Sequence, residues 1–168
     1  MGRDKALLTI DGIAMAVRVA HALAEAGAAE VRCIGGDLDA LRALGLDAVP
    51  DEHVDAGPLA GIIAAFEATS TPVVVVAPCD LLAPAAHTFR GLVTAVQAGD
   101  AFAAVPIVDG RWRPLPAAFR RAASAPLAAA FADGERAVHR AIERLEFLAV
   151  DVGAVLDADT PGDLPDRR

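Results

Sequence analysis

A single lysine near the start of the chain is the first residue whose type indicates chemistry. Lys5 is the one lysine among 15 basic residues, so arginine is used wherever this protein needs an ordinary positive charge. An ammonium group is a compact point charge, which the planar guanidinium fork cannot replace. The lone lysine therefore favours a specific role for Lys5, with chance retention as the alternative.

An aspartate at the end of an apolar run is the second such residue. Residues 73–76 are four consecutive valines, which predicts a strand buried on both faces in a parallel sheet. The run ends at Pro78, Cys79 and Asp80, and ligands of open α/β sheets bind beyond the carboxyl ends of the strands. Asp80 is therefore placed to hold a metal ion against a phosphate, or else to cap the helix predicted from Pro84.

A glycine-rich segment supplies the third feature. Asp51 follows a brief predicted strand, and Gly57 and Pro58 begin a predicted helix that includes Leu59 and Gly61. Glycine followed by proline suits a first helical turn, and the N–H groups of a helix N-terminus attract anions. The segment is a candidate phosphate-binding element, with an ordinary loop-to-helix junction as the alternative.

The elements that must position these residues alternate between strand and helix. Predicted strands and helices occupy, in order, residues 13–27 (helix), 30–34 (strand), 37–44 (helix), 47–50 (strand), 59–68 (helix), 71–77 (strand) and 84–97 (helix). This alternation predicts a parallel, doubly wound sheet. We expect one α/β domain over residues 1–168, a Rossmann-like three-layer sandwich with a mostly parallel sheet.

The second half of the chain departs from this alternation. A strand at residues 101–108 and the turn residues Asp109 and Gly110 predict a hairpin, whose second strand would lie within residues 111–119. Prolines at 114 and 116 would confine that strand to an edge or make it irregular. Helices at 119–132 and 135–145 and a strand at 146–152 follow.

Composition excludes several classes of protein. The net charge of −8 argues against a nucleic-acid partner, which would require clustered lysine and arginine. No apolar run approaches the roughly 18 residues of a membrane span. Cys33 and Cys79 fall in predicted buried strand regions without metal-ligand spacing, which is typical of reduced thiols in a cytoplasmic protein.

The candidate residues should meet at one edge of the predicted sheet. A lysine, a helix N-terminus and a metal-binding carboxylate suit a nucleoside triphosphate, because the lysine and Mg²⁺ neutralise charge that builds on phosphate oxygens. Mg²⁺ needs only one or two carboxylates in addition to phosphate oxygens and water. The carboxylates expected at this edge are those of Asp51, Asp80 and the acidic pair Asp157 and Asp159.

These residues also carry a family resemblance. Residues 1–8 with Asp11 and Gly12 resemble the second half of the nucleotide-binding signature of the molybdenum cofactor guanylyltransferase family. Four further motifs match that family in order and spacing: Asp51 with residues 57–61, Cys79-Asp80, Arg113-Pro114-Leu115 and Asp159-Thr160-Pro161. Each motif is weak alone, but together they cover nearly the whole chain and identify the superfamily.

The resemblance implies a reaction in which GMP passes from Mg-GTP to the terminal phosphate of molybdopterin and pyrophosphate is released. It implies that Lys5 contacts the triphosphate, that Asp80 holds Mg²⁺, and that Asp51 and residues 57–61 lie along the nucleotide. By the same resemblance, four residues would face the acceptor, with Asp159 also a metal ligand: Arg113, Asp157, Asp159 and Thr160. The acceptor phosphate is the nucleophile, so no nucleophilic side chain is required.

Four arginines form a further candidate site. Arg111, Arg113, Arg120 and Arg121 could make a basic pocket for the pterin phosphate. The alternative is that they form the solvated start of a helix.

One departure from the family pattern concerns the start of the sequence. The family's apolar first strand and glycine-rich phosphate loop precede the segment that residues 1–8 resemble, and this sequence contains neither. That strand would lie between the strands that carry Ile34 and Val76, and its absence would expose ladder groups on both. We expect either an upstream start or, if the sequence is complete, poor stability and little transfer activity.

A second departure leaves the substrates open. Family members usually carry asparagines where this chain has Asp157 and Asp159, and the aspartates are more like the cytidylyltransferase of the same cofactor. A guanylyltransferase of a small phosphorylated acid is a further alternative. From another class, the chain could be a non-catalytic nucleotide-binding remnant that self-associates or docks on a molybdoenzyme chaperone. A large apolar patch in place of the first strand would favour the remnant.

Overall fold

The computed structural model describes residues 4–53, 56–153 and 155. Along the described chain the helices and strands are β1 (Thr9–Ile10), β2 (Ile13–Ala14), α1 (Met15–Glu25), β3 (Arg32–Ile34), α2 (Leu38–Ala43), β4 (Asp47–Val49), α3 (Pro58–Ala68), β5 (Val73–Val76), α4 (Ala86–Ala98), β6 (Ala103–Val108), β7 (Arg111–Trp112), β8 (Ala117–Arg120), α5 (Ser124–Ala132), α6 (Val138–Glu143) and β9 (Phe147–Val150). Two short 3-10 turns cover Lys5–Leu7 and Arg121–Ala123. None of the helices in this described part is long and apolar enough to cross a membrane.

The largest sheet has the strand order β5–β8–β6, with β7 and β9 also paired to β6. β8 runs antiparallel to both β5 and β6, and β9 runs parallel to β6. Consequently β5, β6 and β9 share one direction, and the carboxyl end of β5 lies at the same edge as those of β6 and β9. The prediction of an α/β fold with a mostly parallel sheet is confirmed.

Side chains alternate between the two faces of this sheet, because successive residues of a strand point in opposite directions. Val74 and Phe119 pack on one face against α3, α5 and α6. Val73, Val75 and Ala118 pack on the other face against α4. Helix α1 packs against α4 through Val19 and Phe89. The sheet therefore lies between two helical layers, as the sequence predicts.

β3 and β4 form a separate parallel pair. Among the described residues, no strand lies between β3 and β5, and two cavities of about 430 and 360 Å³ occupy the space between them. Residues of both α1 and α3 line the two cavities. The family resemblance implies that the first strand would lie at this position, and the described strands leave the expected gap there.

The surroundings of β5 correct one prediction from the valine run. Val74 is buried, but Val73, Val75 and Val76 are only half-buried. The four valines were expected to be buried on both faces, whereas one edge of β5 borders the cavities. Cys79 was also expected in a buried region, but it lies beyond the strand and is exposed, while Cys33 on β3 is half-buried.

A hairpin turn and two prolines determine where the strands of the second half begin and end. Asp109 and Gly110 adopt φ angles of 51° and 73°, as the predicted hairpin turn between β6 and β7 requires. The second strand predicted within residues 111–119 is in fact two strands. β7 ends before Pro114 and β8 begins after Pro116, because proline lacks the N–H that a ladder needs. β8 lies between β5 and β6.

Candidate active site

Lys5 and Asp80 meet at the carboxyl end of β5. Lys5 Nζ lies 3.1 Å from Asp80 Oδ2, with side-chain exposures of 41% and 23%. The alternative role of Asp80 as a helix cap is excluded, because α4 begins after Ala85 and has no side-chain cap. An ion pair this accessible contributes only about 0–1 kcal/mol to stability. The pair is thus open to a ligand and contributes little to holding the fold together.

Asp4 fixes the turn that carries Lys5. Its Oδ1 accepts a hydrogen bond from the Ala6 N–H at 3.0 Å and caps the 3-10 turn. Its Oδ2 accepts from the Asp37 N–H at 3.2 Å, which joins this turn to the loop after β3. Gly36 has a φ of +77°, which favours glycine, and a Cβ atom there would come within 2.9 Å of the same Oδ2. The sequence interpretation missed this role of Asp4.

Asp51 lies beside the loop that follows β3. A Cβ atom on Gly35, whose φ is +73°, would lie 3.2 Å from the Cβ of Asp51. Asp51 Oδ1 accepts a hydrogen bond from the His53 N–H at 2.8 Å, and His53 Nε2 lies 3.2 Å from Glu67 Oε2 on α3. The turn after Asp51 is therefore tied to α3. No local pattern signals the contact of His53 with Glu67, because these residues meet only in the folded chain.

The segment at residues 57–61 forms the start of α3, with Pro58 in its first turn as predicted. Gly57 has φ of +90°, a conformation that side chains other than glycine rarely adopt. Two N–H groups of this turn already have backbone acceptors. Leu59 donates to the Arg136 carbonyl at 3.3 Å, and Ala60 donates to the Gly57 carbonyl at 3.0 Å. The helix dipole remains available to an anion, but these two N–H groups are engaged within the protein.

A cavity of about 360 Å³ connects several of these segments. Its lining combines the carboxyl ends of β3 and β5, the start of α3 and the loop before β8: Asp4, Gly35, Gly36, Pro58, Gly61, Pro78, Cys79 and Leu115. Asp80 directly follows Cys79, and Lys5 directly follows Asp4. The structure therefore brings Lys5, Asp80 and the segment at 57–61 to one end of the sheet, as the sequence predicts.

The electrostatics of this end are acidic. Although Cys79 as a whole residue is exposed, the surroundings of its thiol raise the pKa of Cys79 to about 11, chiefly by desolvation and further by the negative charges of Asp80 and Asp4. The thiol therefore stays protonated at neutral pH and is a poor nucleophile. Among the described residues, no cluster of three or more His, Cys, Asp or Glu side chains is arranged to hold a metal ion. Within the described part of the chain, Asp80 is the candidate carboxylate for a cation at this end, together with oxygens of a ligand.

The structure contradicts the basic pocket of four arginines. Arg120 donates to the Val96 carbonyl at 2.9 Å and also to the carbonyls of Gln97 and Gly99 at the end of α4. Arg121 donates to the carbonyls of Phe66 and Thr69 at the end of α3. Both arginines cap helix C-termini, where carbonyls lack helical partners.

The same two arginines lie at the opposite end of the sheet from Asp80. Arg120 pairs with Val73, the first residue of β5, whereas Asp80 follows its last residue. Arg113 is exposed and follows β7, and its N–H donates to the Pro106 carbonyl at 2.8 Å. Its role toward the acceptor stays a prediction. Asp157, Asp159 and Thr160, predicted for acceptor or metal binding, lie outside the described residues.

Comparison with known proteins gives this site a context. The profile of the MobA-like NTP transferase domain family matches residues 1–150. The molybdenum cofactor guanylyltransferase of Burkholderia vietnamiensis (strain G4 / LMG 22486) is 37% identical over 149 residues, which cover 82% of this chain and 72% of that protein.

Solved structures of nucleotidyltransferases share the fold. Molybdopterin-guanine dinucleotide biosynthesis protein A of Archaeoglobus fulgidus superposes with a TM-score of 0.68 at 23% identity, over 90% of this chain and 76% of that chain. The 2-C-methyl-D-erythritol 4-phosphate cytidylyltransferase of Thermus thermophilus superposes with a TM-score of 0.77 at 22% identity, over 95% and 90% of the two chains. By the extent of its profile match and by its relatives, this chain belongs to the MobA-like NTP transferase family.

Proposed function

We propose that this protein is a guanylyltransferase that transfers GMP from GTP to the terminal phosphate of molybdopterin and releases pyrophosphate. The observation that carries this proposal is the Lys5–Asp80 pair at the carboxyl end of β5, adjacent to the cavity at the start of α3. The name of the Burkholderia relative supports guanylyl transfer over the alternatives.

The proposed roles follow from charge and position. Lys5 binds the triphosphate, and its single charge stabilises negative charge on phosphate oxygens as the new bond forms. Because Lys5 sits on a turn capped by Asp4, its position is set before the nucleotide arrives. Asp51 and the start of α3 border the nucleotide, and the dipole of α3 favours its anionic groups.

Asp80 is the proposed ligand for Mg²⁺. A carboxylate oxygen is the hard donor that Mg²⁺ prefers, and one or two carboxylates suffice when phosphates complete the shell. Mg²⁺ would neutralise charge on the phosphates, and Asp80 would orient them relative to Lys5. Asp159 is proposed as a second ligand on the strength of the family resemblance.

The acceptor phosphate attacks the α-phosphorus of GTP, and pyrophosphate leaves with the electron pair of the broken bond. This in-line exchange requires positioning and charge stabilisation but no covalent enzyme intermediate. The protonated state of the Cys79 thiol is consistent with that. Arg113, exposed on the loop after β7, and Asp157 and Thr160 are proposed to contact the acceptor.

The test supplies the purified chain with Mg²⁺, molybdopterin and one of GTP, CTP or ATP, and measures pyrophosphate together with the mass of the pterin product. We expect a pterin–guanine dinucleotide when GTP is the nucleotide supplied, and no product with CTP or ATP. A cytidine dinucleotide would instead support the cytidylyltransferase alternative that the aspartates at 157 and 159 suggest. A Lys5→Arg variant should lose activity although it keeps the positive charge, because the bulkier guanidinium cannot replace the ammonium at this turn. Absence of product with all three nucleotides would contradict the proposal and would favour the alternative of a non-catalytic nucleotide-binding remnant.

A further inference from the structure

A buried carboxylate lies behind the start of α3, outside the residues assigned above. The Glu135 side chain is 6% exposed, although it belongs to the loop between α5 and α6. Its Oε1 accepts hydrogen bonds from the N–H groups of Arg136 and Ala137, both at 2.9 Å. Its carboxylate also accepts from Arg140 at 3.1 Å and from Arg144 at 3.4 Å.

These contacts hold the carboxyl group ionised. The pKa of Glu135 is lowered to about 2, first by the hydrogen bond from Ala137, against the effect of desolvation. Charge-assisted hydrogen bonds are the stronger kind. The backbone from Glu135 to Ala137 is thereby fixed at two successive N–H groups.

Arg136 connects this fixed segment to the start of α3. Its carbonyl accepts the Leu59 N–H at 3.3 Å. A Cβ atom on Gly57 would lie 3.3 Å from the Arg136 Cβ and 3.7 Å from its carbonyl oxygen. The segment at 135–137 therefore touches the first turn of α3 through a hydrogen bond and through close packing.

The Arg136 side chain is itself held in place. Its Nη1 donates to the carbonyls of Phe131 at 2.7 Å and Glu135 at 2.8 Å. Its guanidinium carbon lies 4.1 Å from the centroid of the Phe131 ring, within the range of a cation–π contact. Because both the backbone and the side chain of Arg136 are fixed, the residue forms a rigid support for Gly57 and Leu59.

We infer that Glu135 is a positioning residue for nucleotide binding, which acts through Arg136 to hold the start of α3 in the binding conformation. This inference rests on the proposed function, because the start of α3 is the proposed nucleotide-binding segment. Glu135 itself lies behind that segment. Its loss should reduce the population of the competent conformation, which weakens the apparent affinity by the same factor.

The experiment compares the wild-type chain with Glu135→Ala and Arg136→Ala, and uses Glu143→Ala as the control. Glu143 is an exposed glutamate of α6 outside this contact chain. Amide hydrogen exchange is measured without nucleotide at residues 59–61 and, for reference, in α4. The dissociation constant of Mg-GTP is measured on the same proteins, with Asp80→Asn as the reference for the proposed site.

We expect exchange to accelerate at residues 59–61 but not in α4, for both Glu135→Ala and Arg136→Ala. GTP binding should be about 10-fold weaker in both variants, as when the competent population falls to about a tenth. Glu143→Ala should match the wild type in both readouts. A uniform acceleration in all helices, or unchanged GTP affinity in both variants while Asp80→Asn weakens it, would overturn the inference and leave the proposed function intact. If wild type fails to bind GTP, the proposed function fails and this role of Glu135 with it. If Glu135→Ala does not fold, Arg136→Ala decides between these outcomes.

Discussion

Lys5 Nζ and Asp80 Oδ2 lie 3.1 Å apart although 75 positions separate the two residues in the sequence. The contact joins a turn at the start of the chain to the carboxyl end of β5. Exposed pairs of this kind add little to stability. The pair instead presents a positive charge beside a carboxylate to a ligand.

Gly57 should tolerate no side chain. Gly57→Ala would place a Cβ at φ of +90° and 3.3 Å from the Arg136 Cβ, so we expect a loss of about 1–3 kcal/mol in the free energy of unfolding and weaker GTP binding. Gly99→Ala is the matched control, because Gly99 has extended backbone and no neighbouring atom within 4 Å of the added Cβ. Thermal unfolding and GTP titration measure both effects. Equal melting temperatures for the two variants would refute the predicted strain.

Substitution of Arg113 should affect acceptor binding, whereas substitution of Arg120 should affect stability. Arg113→Ala should raise the KM for the acceptor about 10-fold or more without lowering the melting temperature, since a charge-assisted hydrogen bond contributes about 1.5–3 kcal/mol. Arg120→Ala should leave that KM unchanged and cost about 1–3 kcal/mol of stability, because the carbonyls at the end of α4 lose their donor. Steady-state kinetics and thermal unfolding decide, and the reverse pattern would show that the acceptor site lies at the other end of the sheet.

Acid should destabilise the protein partly through Glu135. Its pKa is about 2 in the folded chain and 4.5 for the free group, so the folded state favours the ionised form. This contribution to stability is complete above about pH 4.5, and it is lost as the pH falls from there toward 2. Glu135→Gln removes the titration. Melting temperatures between pH 5 and 3 should therefore fall less for Glu135→Gln than for wild type, and parallel curves would disprove this assignment.

Much of the fold could be predicted from local patterns. The helix from Pro58, the strand at Val73–Val76 and the turn at Asp109 and Gly110 are each specified by residues a few positions apart. The general rule about the carboxyl ends of parallel strands predicted the place of Asp80, whereas the family resemblance indicated that Lys5 would lie near it. The sequence is sufficient to predict an element where the local signal is strong, and to predict a residue's position where the topology alone determines it.

The rest depends on contacts that no local pattern encodes. Arg120 and Arg121 looked like a basic cluster, yet each side chain caps the end of a different helix. Glu135 was predicted as the first residue of a helix, but it lies in the loop before α6, where four donors surround its carboxylate. In each case the deciding partners are far apart in the sequence or are backbone atoms, so charge and spacing could not identify them.

The most direct measurement is the dissociation constant of GTP with and without Mg²⁺ for wild type, Asp80→Asn and Asp39→Asn. Asp39 is the control, because its side chain is 99% exposed on α2. Wild type and Asp39→Asn should bind GTP more tightly when Mg²⁺ is present. In Asp80→Asn this gain should disappear, while the melting temperature changes by no more than the few degrees that about 1 kcal/mol represents at this size. An equal gain from Mg²⁺ in all three proteins would contradict the assignment of Asp80 and, with it, the proposed active site.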